Sequence, residues 1–228
     1  MKRIIVISLG GSLIVPDQMN HSFLNKFKDT LREHYNSYKF VIVCGGGSIA
    51  RRYIAALLKE HKPKKELAQA GIRATRMNAQ FIMQLFGKEA NDTLPTSIEE
   101  IKNALPKNKV IICGSLRYTK NSTSDGTAAK IAHLLNTDFI NMTDVKGLYS
   151  GNPKTNTRAK FIKKISWKDF EKRALKIDFK TGQHFVLDQQ AAVIIKKYKI
   201  KTYIIDSDLK NLERLLQGKK FVGTVIDR

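Results

Sequence analysis

The sequence predicts an α/β fold with a mostly parallel, buried sheet, and three observations carry that reading. Short β-branched runs alternate with segments of helical periodicity, as βαβ units require. Each glycine-rich or hydroxyl-rich segment directly follows one of those runs, where an open α/β sheet places its ligands. The chain has 228 residues and is 42% hydrophobic, enough for one sizeable core.

The expected strands, in order, are Arg3 to Leu9, Phe40 to Cys44, Lys109 to Cys113, Asp138 to Met142, Lys201 to Ile205 and Phe221 to Ile226. Between them Phe23, Leu24, Phe27 and Leu31 recur at helical spacing, as do Ile49, Tyr53, Ala56 and Leu57, and again Ala128, Ile131, Ala132 and Leu135. These stripes are read as core faces. The polar loops Leu116 to Ser124 and Ser150 to Lys160 are long enough to be functional. No repeat or low-complexity tract divides the chain, so a single domain over residues 1–228 is expected.

Composition narrows the functional classes. No apolar run approaches the ~18 residues that span a bilayer, and the N-terminal IIVISL ends at glycines without a cleavage-type sequence. A soluble, cytoplasmic protein is expected. Cys44 and Cys113 each end a strand-like run and lack CxxC or Cys/His spacing, which argues against a disulfide framework and a zinc site. The net charge of +21 would suit a nucleic-acid binder, yet the excess is +10 over residues 1–153 and +11 over 154–228. So even a spread favours a lysine-rich solvated surface suited to small anions over a dedicated nucleic-acid face.

The loops carry the chemistry. After the second strand comes CGGGSIARR: Ser48 is expected to cap a helix beginning at Ile49, leaving the amides after Gly45, Gly46 and Gly47 to face an anion. Arg51, one turn on, could hold a phosphate bidentately, whereas Arg52 faces elsewhere. Neither GxxxxGK[ST] nor a GxGxxG after the first strand is present, which excludes a Walker loop and weakens a dinucleotide reading. Gly10, Gly11 and Ser12 repeat the design after the first strand, so two neighbouring cradles would suit a phosphorylated donor and acceptor. In TSDGTAAKIA, Ser122, Ser124 or Asp125 could cap the following helix, and Asp125 could also hold Mg²⁺ or orient a basic side chain. His184, beside Phe185, reads as structural.

The order GGS, GGGSIAR, GIRATRMNAQ, TSDGTAAKIA, TDVKGLYSGNP and VLDQQAAVII resembles the amino acid kinase superfamily, and within it the archaeal type of uridylate (UMP) kinase. The resemblance covers essentially the whole chain. It implies a three-layer αβα sandwich around a mostly parallel sheet (the carbamate kinase-like fold), with acceptor-side elements mainly in residues 1–136 and ATP-side elements mainly in 137–228. It implies transfer of the γ-phosphate of ATP to UMP with Mg²⁺, and hexamers built from dimers. By resemblance Gly10, Gly11, Ser12, Gly47 and Arg51 lie along the ATP phosphates, and Thr143, Asp144, Tyr149 and Asn152 border its nucleoside. Gly46, Arg76, Leu116, Thr123 and Ser124 attend UMP, with Thr75 and Arg76 on a helix that also builds subunit contacts.

Departures from that pattern matter. Ser8 stands where many relatives place a catalytic lysine, and Lys146 is the candidate replacement charge. Ala68 replaces an aspartate associated with the uridine ribose, and Asn152 an aspartate before the proline. The expected catalytic group is therefore Asp125, Arg51 and Lys146, with Asp125 at the metal. Isopentenyl phosphate kinases carry a histidine after the second glycine motif, absent here, and acetylglutamate and aspartate kinases retain the lysine. The alternatives are another small acceptor on the same fold, or a non-catalytic nucleotide-binding protein.

Overall fold

A computed structural model of the chain describes residues 2–118, 123–176 and 186–228. The first half runs β1 (Arg3–Leu9), α1 (Gly11–Ile14), α2 (His21–Glu33), β2 (Tyr38–Cys44), α3 (Gly47–Lys59), α4 (Lys64–Phe86), α5 (Ile98–Ala104) and β3 (Val110–Cys113). The second runs α6 (Ser124–Leu134), β4 (Phe139–Met142), β5 (Leu148–Tyr149), β6 (Phe161–Ile162), β7 (Lys164–Ser166), α7 (Trp167–Leu175), α8 (Gln189–Tyr198), β8 (Thr202–Ile205), α9 (Leu209–Leu216) and β9 (Thr224–Asp227).

Seven strands form one sheet in the order β3-β2-β1-β4-β8-β9-β7. All neighbours are parallel except β8 and β9, and β5 and β6 form a separate antiparallel pair. Side chains alternate across the sheet, so β1 sends Ile5, Ile7 and Leu9 to one core and Val6 to the other. Leu24, Phe27 and Leu31 of α2, Ile82 and Phe86 of α4 and Leu212 of α9 cover the first face. Ala128 and Ile131 of α6, Phe170 of α7 and Ile195 of α8 cover the second. The result is the expected helix–sheet–helix layering around a mostly parallel sheet. Cys44 and Cys113 fall in opposite cores, and burial raises both thiols, Cys113 to about 12.

The departures are local. The last strand begins at Thr224 and not at Phe221, and β7, a three-residue edge strand, was too short to show a period. In α3 the buried large residue is Ile54, whose Cδ1 would lie 3.6 Å from a Cβ at Gly71 of α4. This docking turns Tyr53 and Ala56 to solvent, against the expected stripe. The edge of β3 is closed by a side chain: Asn91 Oδ1 accepts from Ile112 N at 2.6 Å, while its Nδ2 donates to Ile112 O at 3.0 Å. One amide thus supplies what a neighbouring strand would.

The glycine turns explain themselves by packing. A Cβ at Gly11 would lie 1.9 Å from Gly47 N, one at Gly45 would lie 2.4 Å from Gly11 N, and one at Gly47, where φ is +63°, would lie 2.5 Å from Gly11 O. Each turn fills the space that a side chain on the other would need. We therefore expect Gly11→Ala to lower the unfolding free energy by more than about 3 kcal/mol in denaturant titrations, because only backbone could yield. Gly151→Ala, whose Cβ would meet nothing nearer than Asn156 Nδ2 at 3.4 Å, should stay within about 0.5 kcal/mol of the natural chain.

Candidate active site

The strand order reverses at β1, which has β2 on one side and β4 on the other. In an open sheet the crevice at such a point, beyond the strand C-termini, is where ligands bind. Gly10, at the end of β1, donates its amide to Met142 O at 2.9 Å, and Gly45, at the end of β2, donates to Leu9 O at 2.9 Å. Two turns follow from these anchors. Gly11 starts a single helical turn where a loop was expected, with Ser12 next in it, and Gly47 starts α3 with Gly46 as its cap residue.

That start corrects one expectation: Ser48 lies inside the helix and does not cap it. The helix begins two residues early because Gly47 adopts a positive φ that no serine cap could supply. Ser48 instead donates its amide to Val15 O at 3.1 Å, stitching the two turns together. Among the described residues the amides of Ser12, Gly46 and Gly47 have no backbone acceptor. They are the free donors that a helix start always leaves, and the positive end of the α3 dipole lies behind the last two. Arg51, half-buried, forms no hydrogen bond or ion pair among the described residues, whereas Arg52 points out, 3.9 Å from Asp17.

Beside the cradle lies a polar cluster. Ser8, 1% exposed, faces the α6 and α8 side of the sheet and donates its hydroxyl to Asp125 Oδ1 at 2.8 Å. Its neighbour in register on β4, Asn141, is also buried and donates to Val186 O, just ahead of α8. The helix cap before Asp125 is Thr123, not Ser124 or Asp125: its hydroxyl accepts from Gly126 N at 3.0 Å. The Thr123 hydroxyl also donates to Asp188, and its amide donates to Gln190 Oε1 at 3.3 Å. Asp188 caps α8 through Ala191 N at 2.9 Å. Two carboxylates thus stand at the N-termini of two adjoining helices, with Ser124 in the first turn of α6.

Their electrostatics follow from enclosure. Burial, then the charge of Asp188, pushes the Asp125 carboxyl up to about 7, against a downward pull from the Ser8 hydroxyl. Asp125 keeps partial exposure as a residue although its carboxylate is enclosed. Burial likewise raises Asp188, opposed by the Thr123 hydroxyl and by the amides of Ala191 and Gln190. Neither carboxylate has a cationic partner among the described residues.

Two of the residues expected on the acceptor side, Arg76 and Leu116, meet at the end of β3. Arg76 on α4 donates from Nε to Ser115 O at 3.1 Å and from Nη2 to Leu116 O at 2.9 Å. Thr75 Oγ1 accepts from Ser115 N at 2.9 Å, and Gly114 is so close that a Cβ would lie 2.7 Å from Arg76 N. Arg76 therefore clamps the start of this loop, with its guanidinium committed to carbonyls. Residues 119–122 of the loop, including Ser122, and His184 and Phe185 lie outside the described residues.

On the other side, beyond β4, an open cavity of about 1160 Å³ gathers Thr143, Asp144, Tyr149 and Asn152 over an apolar floor of Leu148, Ile162, Ile165 and Val186. Tyr149 packs on Phe161 at 5.3 Å between ring centroids, and Asn152 Oδ1 accepts from Lys154 N at 3.0 Å. Lys154 pairs with Asp144 across the mouth. Lys146 does not line this cavity: it stands exposed on the turn between β4 and β5. The sequence reading missed Asp188 and Asn141 as members of the cluster. Their signals were an aspartate directly before a helical pattern and a lone amide in an apolar strand, both ordinary features until the fold joins them.

The chain's relatives agree with this geometry. It is 32% identical over 229 aligned residues to a uridylate kinase of Thermoplasma acidophilum, covering 100% of this chain and 98% of that one. With the uridylate kinase of Archaeoglobus fulgidus it shares 31% identity, covering 97% and 99%. The crystal structure of uridylate kinase from Archaeoglobus fulgidus superimposes with a TM-score of 0.84 at 31% identity, over 99% of this chain and 100% of that one. The amino acid kinase family matches residues 3–206, and with the layered sheet, the paired glycine turns and these full-length likenesses in view, the chain belongs to that family.

Proposed function

We propose that this chain is a nucleoside monophosphate kinase that transfers the γ-phosphoryl group of ATP to UMP, giving ADP and UDP. One observation carries the reading: full-length likeness to proteins named uridylate kinase coincides with a switch point where Ser8, Asp125 and Asp188 meet two glycine turns. We read residues 1–228 as one domain working in the cytoplasm, with acceptor-side elements mainly before residue 137. The exposed Tyr53, Leu58 and Met77 on the adjoining α3 and α4 support assembly with further copies, as hexamers built from dimers.

The acceptor is a phosphate monoester whose second ionisation lies near pH ~6, so at neutral pH it is already a dianionic nucleophile. No base is required. The chain has to align two anions and offset their repulsion. Gly10, Gly11, Ser12 and Gly47 offer backbone to the donor phosphates with Arg51, unpaired among the described residues, as a cation beside them, while Thr143, Asp144, Tyr149 and Asn152 bound the nucleoside. Gly46 faces the acceptor phosphate. Leu116, Thr123 and Ser124 border UMP, and Arg76 shapes that loop through its carbonyls. Lys146, exposed and off the cavity, receives no role at the reacting phosphates.

A magnesium ion fits this arrangement. Among the described residues no group of three or more His, Cys, Asp or Glu could form a closed cage. Mg²⁺ ordinarily takes one or two carboxylates and completes its shell with water and substrate phosphate, and Asp125 and Asp188 are two enclosed carboxylates without a cation. When bound, the ion supplies charge neutralisation at the transferring group.

Three outcomes are expected. Purified protein with ATP, Mg²⁺ and UMP should release ADP and UDP; tight UMP or ATP binding without ADP release would replace the kinase reading with that of a nucleotide-binding protein. In the same assay Asp125→Asn should lower kcat at least about a hundred-fold. Arg51→Ala should raise the ATP KM by about ten-fold, with Arg52→Ala changing it by less than about two-fold. The second expectation has a stability counterpart. Because the folded pKa of Asp125 lies above the unfolded value of about 3.9, the group's contribution is full below pH ~4 and is lost as pH rises toward 7. Thermal melts of metal-free protein should therefore show Asp125→Asn gaining stability over the natural chain across that window and keeping the gain above pH 7.

A further inference from the structure

The donor-side cavity has a wall that the assigned nucleotide contacts leave unused. Besides Thr143, Tyr149 and Asn152, it is lined by Lys172 and Arg173 of α7 and by Lys176, the cap residue after it. Among the described residues five cations line the cavity against two carboxylates, Asp144 and Asp169. Lys154 is paired with Asp144, and Lys164 with Asp227. Asp169 accepts from the Ser166 hydroxyl at 2.7 Å. Lys172, Arg173 and Lys176 form no ion pair among the described residues.

The ends of the cavity differ. Thr143 and Val186 lie at the end nearest the reacting cluster, since Thr143 follows β4 and Val186 precedes Asp188. The apolar floor of Leu148, Ile162 and Ile165 continues from there toward α7 and suits a flat base. A triphosphate placed with its transferred group near Asp125 therefore brings its base, not its phosphates, to the α7 wall.

That wall offers donors: two ammonium groups and a guanidinium, with its one carboxylate already bonded to Ser166. Purine edges differ in what they ask for. Guanine presents two acceptors, O6 and N7, which arginine or lysine can bind together, whereas adenine presents the N7 acceptor beside an N6 amino donor. Resting on the kinase reading above, we infer that the donor site takes guanine nucleotides at least as well as adenine nucleotides, with Arg173 and Lys172 reading the O6 and N7 edge. The activity in question is a purine triphosphate:UMP phosphotransferase. The covalent step is unchanged: the bond from the γ-phosphorus to the β,γ-bridging oxygen breaks, a bond to a UMP phosphate oxygen forms, and GDP leaves in place of ADP.

The test compares ATP, GTP and ITP as donors to UMP, and compares their non-hydrolysable analogues by calorimetry. ITP keeps O6 and N7 but lacks the 2-amino group, so it isolates the edge in question. GTP and ITP should match or exceed ATP in kcat/KM and in affinity. Arg173→Ala should cost both of them about ten-fold while changing ATP by less than about three-fold, and Lys172→Ala should act in the same direction. Both positions are exposed, so folding is preserved, and unaltered melting curves check this. The inference is overturned if GTP and ITP bind and react at under a tenth of the ATP level, or if Arg173→Ala weakens all three alike. Should no triphosphate phosphorylate UMP, the kinase reading fails, while the calorimetric ranking still decides the purine preference.

Discussion

Two backbone turns pack against each other without side chains between them, and the site depends on that contact. Gly11 lies against Gly45 and Gly47 so closely that a Cβ added at any of the three would overlap the opposite backbone, at 1.9 Å, 2.4 Å and 2.5 Å. Sterics of this kind are rigid, since backbone atoms cannot rotate away as a flexible side chain does. The contact fixes the distance between the C-terminal ends of β1 and β2 and hence between the free amides of Ser12, Gly46 and Gly47. A triple glycine that could serve close ligand approach is required first by close protein approach. The same economy of space leaves amides, not side chains, as the surface offered to an anion.

Around this rigid pair the protein concentrates uncompensated charge. Asp125 and Asp188 each lose solvation by burial and feel one another, and the hydroxyls of Ser8 and Thr123 with the amides at two helix starts offset only part of that cost. Enclosed carboxylates of this kind oppose stability in the ligand-free chain and await a counter-charge. Placing them at the N-termini of α6 and α8 lets the helix dipoles offset part of the cost of ionising them. The site is therefore arranged for a strongly cationic ligand set near two anions, which suits phosphoryl transfer, where alignment and charge do the work.

The strong net positive charge acquires a partial explanation in the same terms. Beyond β4, Lys172 and Arg173 of α7 line a cavity without an ion pair among the described residues, and Arg51 stands likewise by the glycine turns. Each adds to a positive field that draws nucleotides toward the strand ends. On the acceptor side, by contrast, Arg76 is spent on carbonyls of its own chain, so an arginine that reads in sequence as a ligand contact acts as a clamp.

How much of this was legible in the sequence follows from the range of the interactions. Six β-branched runs, the helical stretches that became α2, α3 and α6 and the placing of the glycine-rich loops at strand ends were readable, because periodicity and glycine position are local properties. So was the pairing of Gly10 and Gly11 with the triple glycine as two neighbouring turns. What only the tertiary structure decided is which groups meet. Ser8 and Asp125 are 117 residues apart and bonded, Asp188 joins them across a third element, and Thr123, not Ser124 or Asp125, caps α6 and reaches Asp188 as well. The buried face of α3 was set by docking against α4. A sequence records the residue types a site can draw on; packing of distant segments onto one sheet edge selects those that share its charge.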